Sequence, residues 1–572
     1  MSPPLAATVE TRMSARLPFP LAPSPGRFGS GSCAGRFPTA VRWFALILSL
    51  LASPGPRIEA ADPPRAEATV QFVQGLSVEV IRAGAATGDP VRTAVTLQAG
   101  DTLRTGEHSE ATLVLSDGTI LSVGELATVE IQKADASVMV NLVQGILSFF
   151  HRDRPGSFRV RRGTTVAIVR GTEFVFAAAP DDGVVMTLFD GEVVLPELHG
   201  GDYSVTALPG APVRVTVVPG QPPRQTAVLA SEAIEAIQWL LYYPGVLDLR
   251  DLQWSAESRS TLRESIQFYE RGDLISALKR FPDGRPVADP NEALFHAALL
   301  LSVGDVPNTL KILSSLPAED RIQRLANALR ELIAAVQRRA CDGDLERTNW
   351  FTSEWMARSY CLQAGAKLSE ARDAARAATV SSPEFGFAWA RLAELEFSFG
   401  DLRAVEKALA HAQVLSPGNA EVYVLNGFLL AARRESRKAE EQFNRAIALD
   451  PGLGNAWLGR GLMRIREGDR AGGRQDLAMA ASLEPQRAAF RNYLGKAYSA
   501  ERNGPQALHE LELARKADPV DPTSWLYKAL ELDAQNRVNE AIRELEEAQN
   551  LNGNRNLYRS PALLGQDLSH SM

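Results

Sequence analysis

The stretch Pro451-Gly-Leu-Gly-Asn-Ala-Trp457-Leu-Gly-Arg-Gly461, followed by Gly473, Leu477, Ala480 and Pro485, decides the fold of the C-terminal half. Its two prolines stand 34 residues apart, and the same step runs through Pro383, Pro417, Pro451, Pro485 and Pro519. Six residues after each proline come Trp389, Tyr423, Trp457, Arg491 and Trp525; ten after come Ala393, Gly427, Gly461, Gly495 and Ala529. Farther on stand Val405, Ala439, Gly473, Ala507 and Ala541, then Leu409, Phe443, Leu477, Leu511 and Leu545, then alanine at 412, 446, 480, 514 and 548. Small residues let two helices approach closely and large ones fill the gap between neighbours, while proline ends the second helix of each pair.

A 34-residue period with aromatic, small, small, large apolar, alanine and proline in that order is the tetratricopeptide pattern, which predicts an all-α solenoid. The regular units are 386–419, 420–453, 454–487, 488–521 and 522–555, and counting back one period gives another at 352–385, with Trp355 in the aromatic slot. Residues 226–350 read as a joining helix and degenerate helical repeats. The joining helix, Ser231 to Tyr243, should stop at Pro244-Gly245, and second helices are expected at 274–281 and 310–317. Such a solenoid turns first-helix side chains toward a concave groove. The slots four, seven, eight and eleven residues after each proline nominate Phe387, Arg391, Glu394, Phe428, Asn455, Leu462, Asn492, Tyr493, Lys496 and Tyr527. Mixed aromatics, amides and charges suit an extended protein or peptide partner. Cys341 and Cys361 can pair in an oxidising compartment or stand as buried thiols; spacing alone does not decide.

Residues 66–220 have a different texture, with short β-branched runs between turn residues, which predicts an all-β domain. Ala111-Thr-Leu-Val-Leu115 and Thr119-Ile-Leu-Ser-Val123 flank Ser116-Asp117-Gly118, and an Asp-Gly pair supplies the positive φ of a hairpin turn. Asp182-Gly183 and Asp190-Gly191 repeat that chemistry, predicting a meander through Val184–Phe189 and Glu192–Leu195. Gly171 reads as a bulge or close backbone approach. In Phe158-Arg-Val-Arg161 apolar residues alternate with arginine, as on a strand with one solvated face; an anionic glycan held by Arg152, Arg154, Arg159, Arg161, Arg162 and Arg170 is the alternative.

Ala99-Gly-Asp-Thr-Leu-Arg-Thr-Gly-Glu107, Ser109-Glu-Ala-Thr-Leu-Val-Leu-Ser-Asp-Gly-Thr-Ile-Leu121, Val143-Gln-Gly145, Val169-Arg-Gly-Thr-Glu-Phe174 and Leu188-Phe-Asp-Gly-Glu-Val-Val194 together resemble the FecR domain of bacterial envelope proteins. The resemblance implies kinship with a family whose best-known members span the inner membrane and pass an iron-uptake signal to a sigma factor through a cytoplasmic N-terminal region. In this chain the N-terminal region is Pro-rich rather than a helical sigma-binding unit. Gln238-Trp-Leu-Leu-Tyr-Tyr-Pro244 looks like the junction that joins such domains to helical repeats. The tail 556–572, with Asn552-Gly-Asn-Arg-Asn-Leu-Tyr-Arg-Ser-Pro561 leading into it, resembles a segment that closes the repeats of long envelope proteins and can precede an outer-membrane barrel.

Residues 1–61 read as a leader. They surround the run Trp43-Phe-Ala-Leu-Ile-Leu-Ser-Leu-Leu-Ala52, which has Arg36 and Arg42 before it and Ala60-Ala61 at its exit, the three parts of a secretory signal. The run is about half the ~20 apolar residues of a membrane span. Export, with the mature chain beginning near Ala61 or Asp62 in the periplasm or against the outer membrane, is the expectation. A formal charge of −7 gives no basic footprint for nucleic acid, so no nucleic-acid partner is expected. No His-Glu-x-x-His, Cys-x-x-Cys, Walker or dinucleotide motif occurs, so the sequence nominates no catalytic residue, cofactor or metal site. The sequence therefore favours an exported, non-enzymatic scaffold or sensor that binds an envelope protein or peptide in the repeat groove. A sigma-factor transducer and an envelope-glycan binder are the alternatives, and a separate outer-membrane barrel and an anionic glycan are further partner classes.

Overall fold

The structure is a computed structural model and describes residues 67–555 apart from 92–93, 135–136, 151–157, 199–200, 283–288 and 342–348. The leader with its apolar run, Arg152, Arg154 and the tail lie outside the described residues. Among the described residues no helix is long and apolar enough to cross a membrane.

An all-β region from Ala68 to Ala227 precedes an all-α solenoid, as the sequence implies. The Asp117-Gly118 hairpin forms between Ser109–Leu115 and Ile120–Val123, with Gly118 at φ +89° and the Thr119 N–H donating to Asp117 Oδ1 at 2.9 Å. Pairing is almost entirely antiparallel. The Phe158–Arg162 strand alone runs parallel to a neighbour, Ser137–Gln144, among the described strands. Phe158 and Val160 are buried while Arg159 and Arg161 are half-exposed, so the arginine alternation is that of a strand with one solvated face. Phe149 stacks on Phe174 at 4.5 Å in the centre of the β core.

The β region departs from the sequence reading at its turns and at its C-terminal end. Asp190-Gly191 is not a hairpin turn but a bulge inside one long strand, Val184–Leu198. Its first half pairs with Val213–Val217 and its second half with Gly201–Ala207, so the bulge hands the strand from one partner to the other. The turn at 179–183 does form, but the left-handed residues are Asp181 and Asp182 rather than Gly183. The breaker-rich stretch 205–230 holds the strands Val213–Val217 and Arg224–Ala227, so the sheet reaches seven residues past the boundary at 220.

Each regular repeat is a helix pair: Thr352–Ala364 with Leu368–Ser381, Gly386–Ser398 with Leu402–Leu415, Ala420–Ala432 with Ser436–Leu449, Gly454–Glu467 with Arg470–Leu483, Ala488–Ala500 with Gly504–Ala517, and Pro522–Ala534 with Val538–Arg555. The six-residue step from proline to aromatic has a direct cause. Trp389, Trp457 and Trp525 donate their indole N–H, and Tyr423 its hydroxyl, to the carbonyls of Pro383, Pro451, Pro519 and Pro417, at 2.7–3.2 Å. Proline cannot donate, but its carbonyl needs a partner at the end of the preceding helix. Gly427 is small because a Cβ there would lie 2.6 Å from the Phe443 ring.

The joining helix is shorter than the sequence suggests. Ala230–Glu235 is helical, Gln238–Leu240 forms a single tight turn, and the chain from Leu241 to Asp248 is extended. Tyr243, Val246, Leu247, Leu249 and Leu252 are all buried, because this segment packs against the repeats. The upstream helices Arg263–Glu270, Leu274–Lys279, Pro290–Leu301, Val306–Ser315 and Asp320–Val336 continue the solenoid.

Candidate functional site

Part of the face that the first helices present is covered by the chain itself. The segment 241–252, extended to Asp248 and then turning once at Leu249–Asp251, packs against the repeat helices. The Tyr269 hydroxyl donates to the Leu247 carbonyl at 2.8 Å, the Asp248 N–H donates to Ser353 Oγ at 2.8 Å, and Asp251 accepts from both the N–H and the hydroxyl of Ser353. Gly245 faces the Phe387 ring so closely that a Cβ would lie 2.9 Å from it. Farther along, the β domain covers the repeats. Phe72 meets Trp457 at 5.9 Å, and Ile120 and Phe150 join the same buried cluster. Arg491, the one non-aromatic residue in its slot, keeps the Pro485 carbonyl as partner through Nε and sends its two terminal nitrogens to Glu173 at 2.7 and 2.5 Å, with Glu510 at 3.0 Å. His509 Nε2 lies 2.7 Å from Asp190 Oδ2.

Beside the joining segment a cavity of about 780 Å³ remains, walled by Tyr242, Pro244 and Gly245 and by the repeats. Phe387, Arg391, Glu394 and Asn455 from the sequence nominations line it. Arg391 is wholly buried, its guanidinium held by Glu394 at 2.6 Å and by the Ser359 hydroxyl and carbonyl, over the Tyr360 ring. The other six nominations are not in the cavity wall. Phe428 packs edge-on against Phe443 at 5.0 Å, and Leu462 and Tyr493 pack against the cluster that the β domain closes. Asn492 donates to Asp521 at 3.1 Å, and Lys496 Nζ sits 4.8 Å over the Tyr527 ring. The slot rule assumes an open groove, and intramolecular packing uses those side chains.

Apart from Asn455, the wall residues that follow escape the sequence reading. Asn455 Oδ1 and Gln486 Oε1 are buried acceptors with no hydrogen-bond partner among the described residues. Arg338, Arg339, Arg358 and Lys367 bring positive charge to the wall near its exposed edge. Tyr242 lies in the wall from the joining segment. The cavity is also bounded by Cys341 and Cys361, which form a disulfide with Cα atoms 5.9 Å apart.

Burial, reinforced by the neighbouring Glu394, raises the carboxyl pKa of Glu421 in this wall to about 8. Its folded pKa lies above the unfolded value of 4.5, so the folded state holds the extra proton and its stability falls as pH rises from about 4.5 to about 8. Thermal unfolding should therefore show Glu421→Gln gaining on the wild type as pH is raised from 5 to 8.5, by roughly 2–4 kcal/mol across that range. Parallel pH profiles for the two proteins would contradict this.

Beyond its own geometry, parts of the chain are similar to known proteins. Residues 101–194 match the family model described as FecR protein. A search of curated proteins finds no match. Among solved structures, the APC/C hetero-tetramer Cut9-Hcn1 aligns with TM-score 0.41 at 17% identity, over 57% of this chain and 67% of that one. A thermophilic TPR protein in Thermus thermophilus aligns with TM-score 0.28 at 19% identity, over 34% of this chain and all of that one. YrrB, described as a TPR protein with an unusual peptide-binding site, aligns with TM-score 0.24 at 17% identity, over 32% of this chain and 96% of that one. A region that matches the FecR model, followed by helix pairs that keep the 34-residue period, is the organisation of the described chain.

Proposed function

We propose that this chain is an exported, non-enzymatic scaffold of the bacterial envelope whose solenoid cavity takes an extended, acidic segment of a protein partner. The observation that carries the reading is the pair of unpaired buried acceptors, Asn455 Oδ1 and Gln486 Oε1, in the cavity wall. Buried acceptors without partners are costly, and main-chain N–H groups of an extended segment would satisfy both. Arg338, Arg339, Arg358 and Lys367 at the edge favour acidic side chains and give the encounter a salt dependence. The Cys341–Cys361 disulfide supports export, since disulfides persist in oxidising compartments.

Gly365 in the wall offers a test that leaves the fold alone. Its backbone is at an ordinary φ, and the nearest atoms to a Cβ there are 3.6 Å away. Pull-down from envelope extract with the wild type and Gly365→Trp should recover a set of proteins that the variant loses at least tenfold, with the helical circular dichroism unchanged. Equal recovery by both would place the partner outside the cavity.

A further inference from the structure

Where the β domain meets the solenoid upstream of the cavity, three side chains distant in sequence converge. His108 precedes the strand Ser109–Leu115, Glu125 follows the strand Ile120–Val123, and Asp305 caps the N-terminus of the helix Val306–Ser315. His108 Nδ1 lies 3.3 Å from Asp305 Oδ2 and 3.7 Å from a Glu125 carboxylate oxygen, and the three ligand atoms lie within 4.8 Å of one another. We propose that His108, Glu125 and Asp305 form a binding site for a divalent transition-metal ion that staples the FecR-like domain to the solenoid.

Four observations carry the assignment. First, Nδ1 of His108 is buried and makes no directed hydrogen bond, although two carboxylates face it. Second, the spacing is that of ligands around a shared ion: bonds of 2.0–2.1 Å in a tetrahedral site put ligand atoms about 3.3 Å apart. The remaining separation asks for a shift of the Glu125 carboxylate, whose side chain is 41% exposed.

Third, both carboxylates are already oriented by groups outside the triad of ligand atoms. Asp305 accepts from the Asn308 N–H at 3.1 Å and from its side-chain amide at 2.8 Å, and Glu125 accepts from the His108 backbone N–H at 2.9 Å. Outer partners of this kind fix metal ligands in place. Fourth, the backbone presents the histidine in a way an ordinary strand end would not. His108 is left-handed at φ +49°, and its carbonyl abuts Gly75, where a Cβ would lie 1.9 Å from that oxygen.

One imidazole and two carboxylates suit zinc or a similar borderline ion, with a fourth position left to water. Two ligands come from the β domain and one from the solenoid, so a bound ion is a crosslink between them and its binding adds to the stability of that junction. Scattered ligands at 108, 125 and 305 carry no motif spacing, which is why no sequence pattern announces the site.

The experiment titrates Zn²⁺ into the full chain, with any purification tag removed, and compares the wild type with His108→Asn, Glu125→Gln and Asp305→Asn. Asparagine tolerates the left-handed backbone at 108 and preserves the helix cap at 305. The wild type should bind one more equivalent of Zn²⁺ than His108→Asn, with at least tenfold weaker binding in the two carboxylate variants, and its thermal midpoint should rise with Zn²⁺ while that of His108→Asn does not. Equal stoichiometry and affinity in the wild type and Glu125→Gln, whose exposed side chain is safe to change, would overturn the site. So would a wild type whose thermal midpoint and visible Co²⁺ spectrum are unmoved by metal, whatever the folding state of the other variants.

Discussion

Replacing Arg491 with leucine is expected to destabilise the protein by about 3–5 kcal/mol, the range for removing one partner of a buried ion pair. The guanidinium is 3% exposed and sits between Glu173 of the β domain and Glu510 of the next helix, both buried. Without it both carboxylates lose a buried cationic partner in a site with little water, so the cost includes desolvated charge as well as lost attraction. Because Glu173 belongs to the strand Thr165–Ala178, the substitution should also loosen the β domain from the repeats. Urea unfolding should show a lower midpoint, and the double variant Arg491→Leu with Glu173→Leu should recover part of the loss. A midpoint within experimental error of the wild type would show that the pair does not join the two regions.

Trp457→Ala is expected to cost about 3–5 kcal/mol, in the range for a buried aromatic truncated in a core. Trp457 is 2% exposed, donates to Pro451, carries Arg460 over its ring and meets Phe72 from the β domain. Trp389 and Trp525 occupy the same slot in other repeats and donate to their own prolines, but both stay partly exposed. Their alanine variants should cost less, roughly 1–3 kcal/mol, because less apolar area returns to water. Thermal or urea denaturation of the three variants side by side reads the difference. Equal losses would mean that the β domain adds nothing to the burial of Trp457.

The solenoid was legible because its period repeats the same physical solution many times over, from the proline carbonyl and its donor six residues on to the glycine beneath Phe443. A second 34-residue series went unread. Ala366, Gly400, Arg434, Gly468, Arg502 and Asn536 each take the left-handed turn between the two helices of a unit, and only two of the six are glycine. Backbone geometry recurs there without a recurring residue. In the β domain, local turn chemistry located the Asp117-Gly118 hairpin but could not separate a turn from a bulge at Asp190-Gly191, since both need positive φ.

The candidate site was the least legible part, and the reason is distance along the chain. Groove slots can be counted from one repeat, but their occupation depends on contacts such as Arg491 with Glu173 and Gly245 with Phe387, which join residues more than a hundred positions apart. Phe428 and Tyr493 have the right chemistry for anchors and are spent on the chain's own packing. Asn455 keeps both its place in the wall and an unpaired oxygen.

Hydrogen–deuterium exchange on the full chain, alone and with a protein that the wild type recovers and Gly365→Trp does not, tests the cavity reading most directly. New protection is expected in residues 358–367, 387–394 and 454–458, which border the cavity, with little change across the arginine strand at 158–162. Protection confined to that strand, or to the outer faces of the helices, would contradict it.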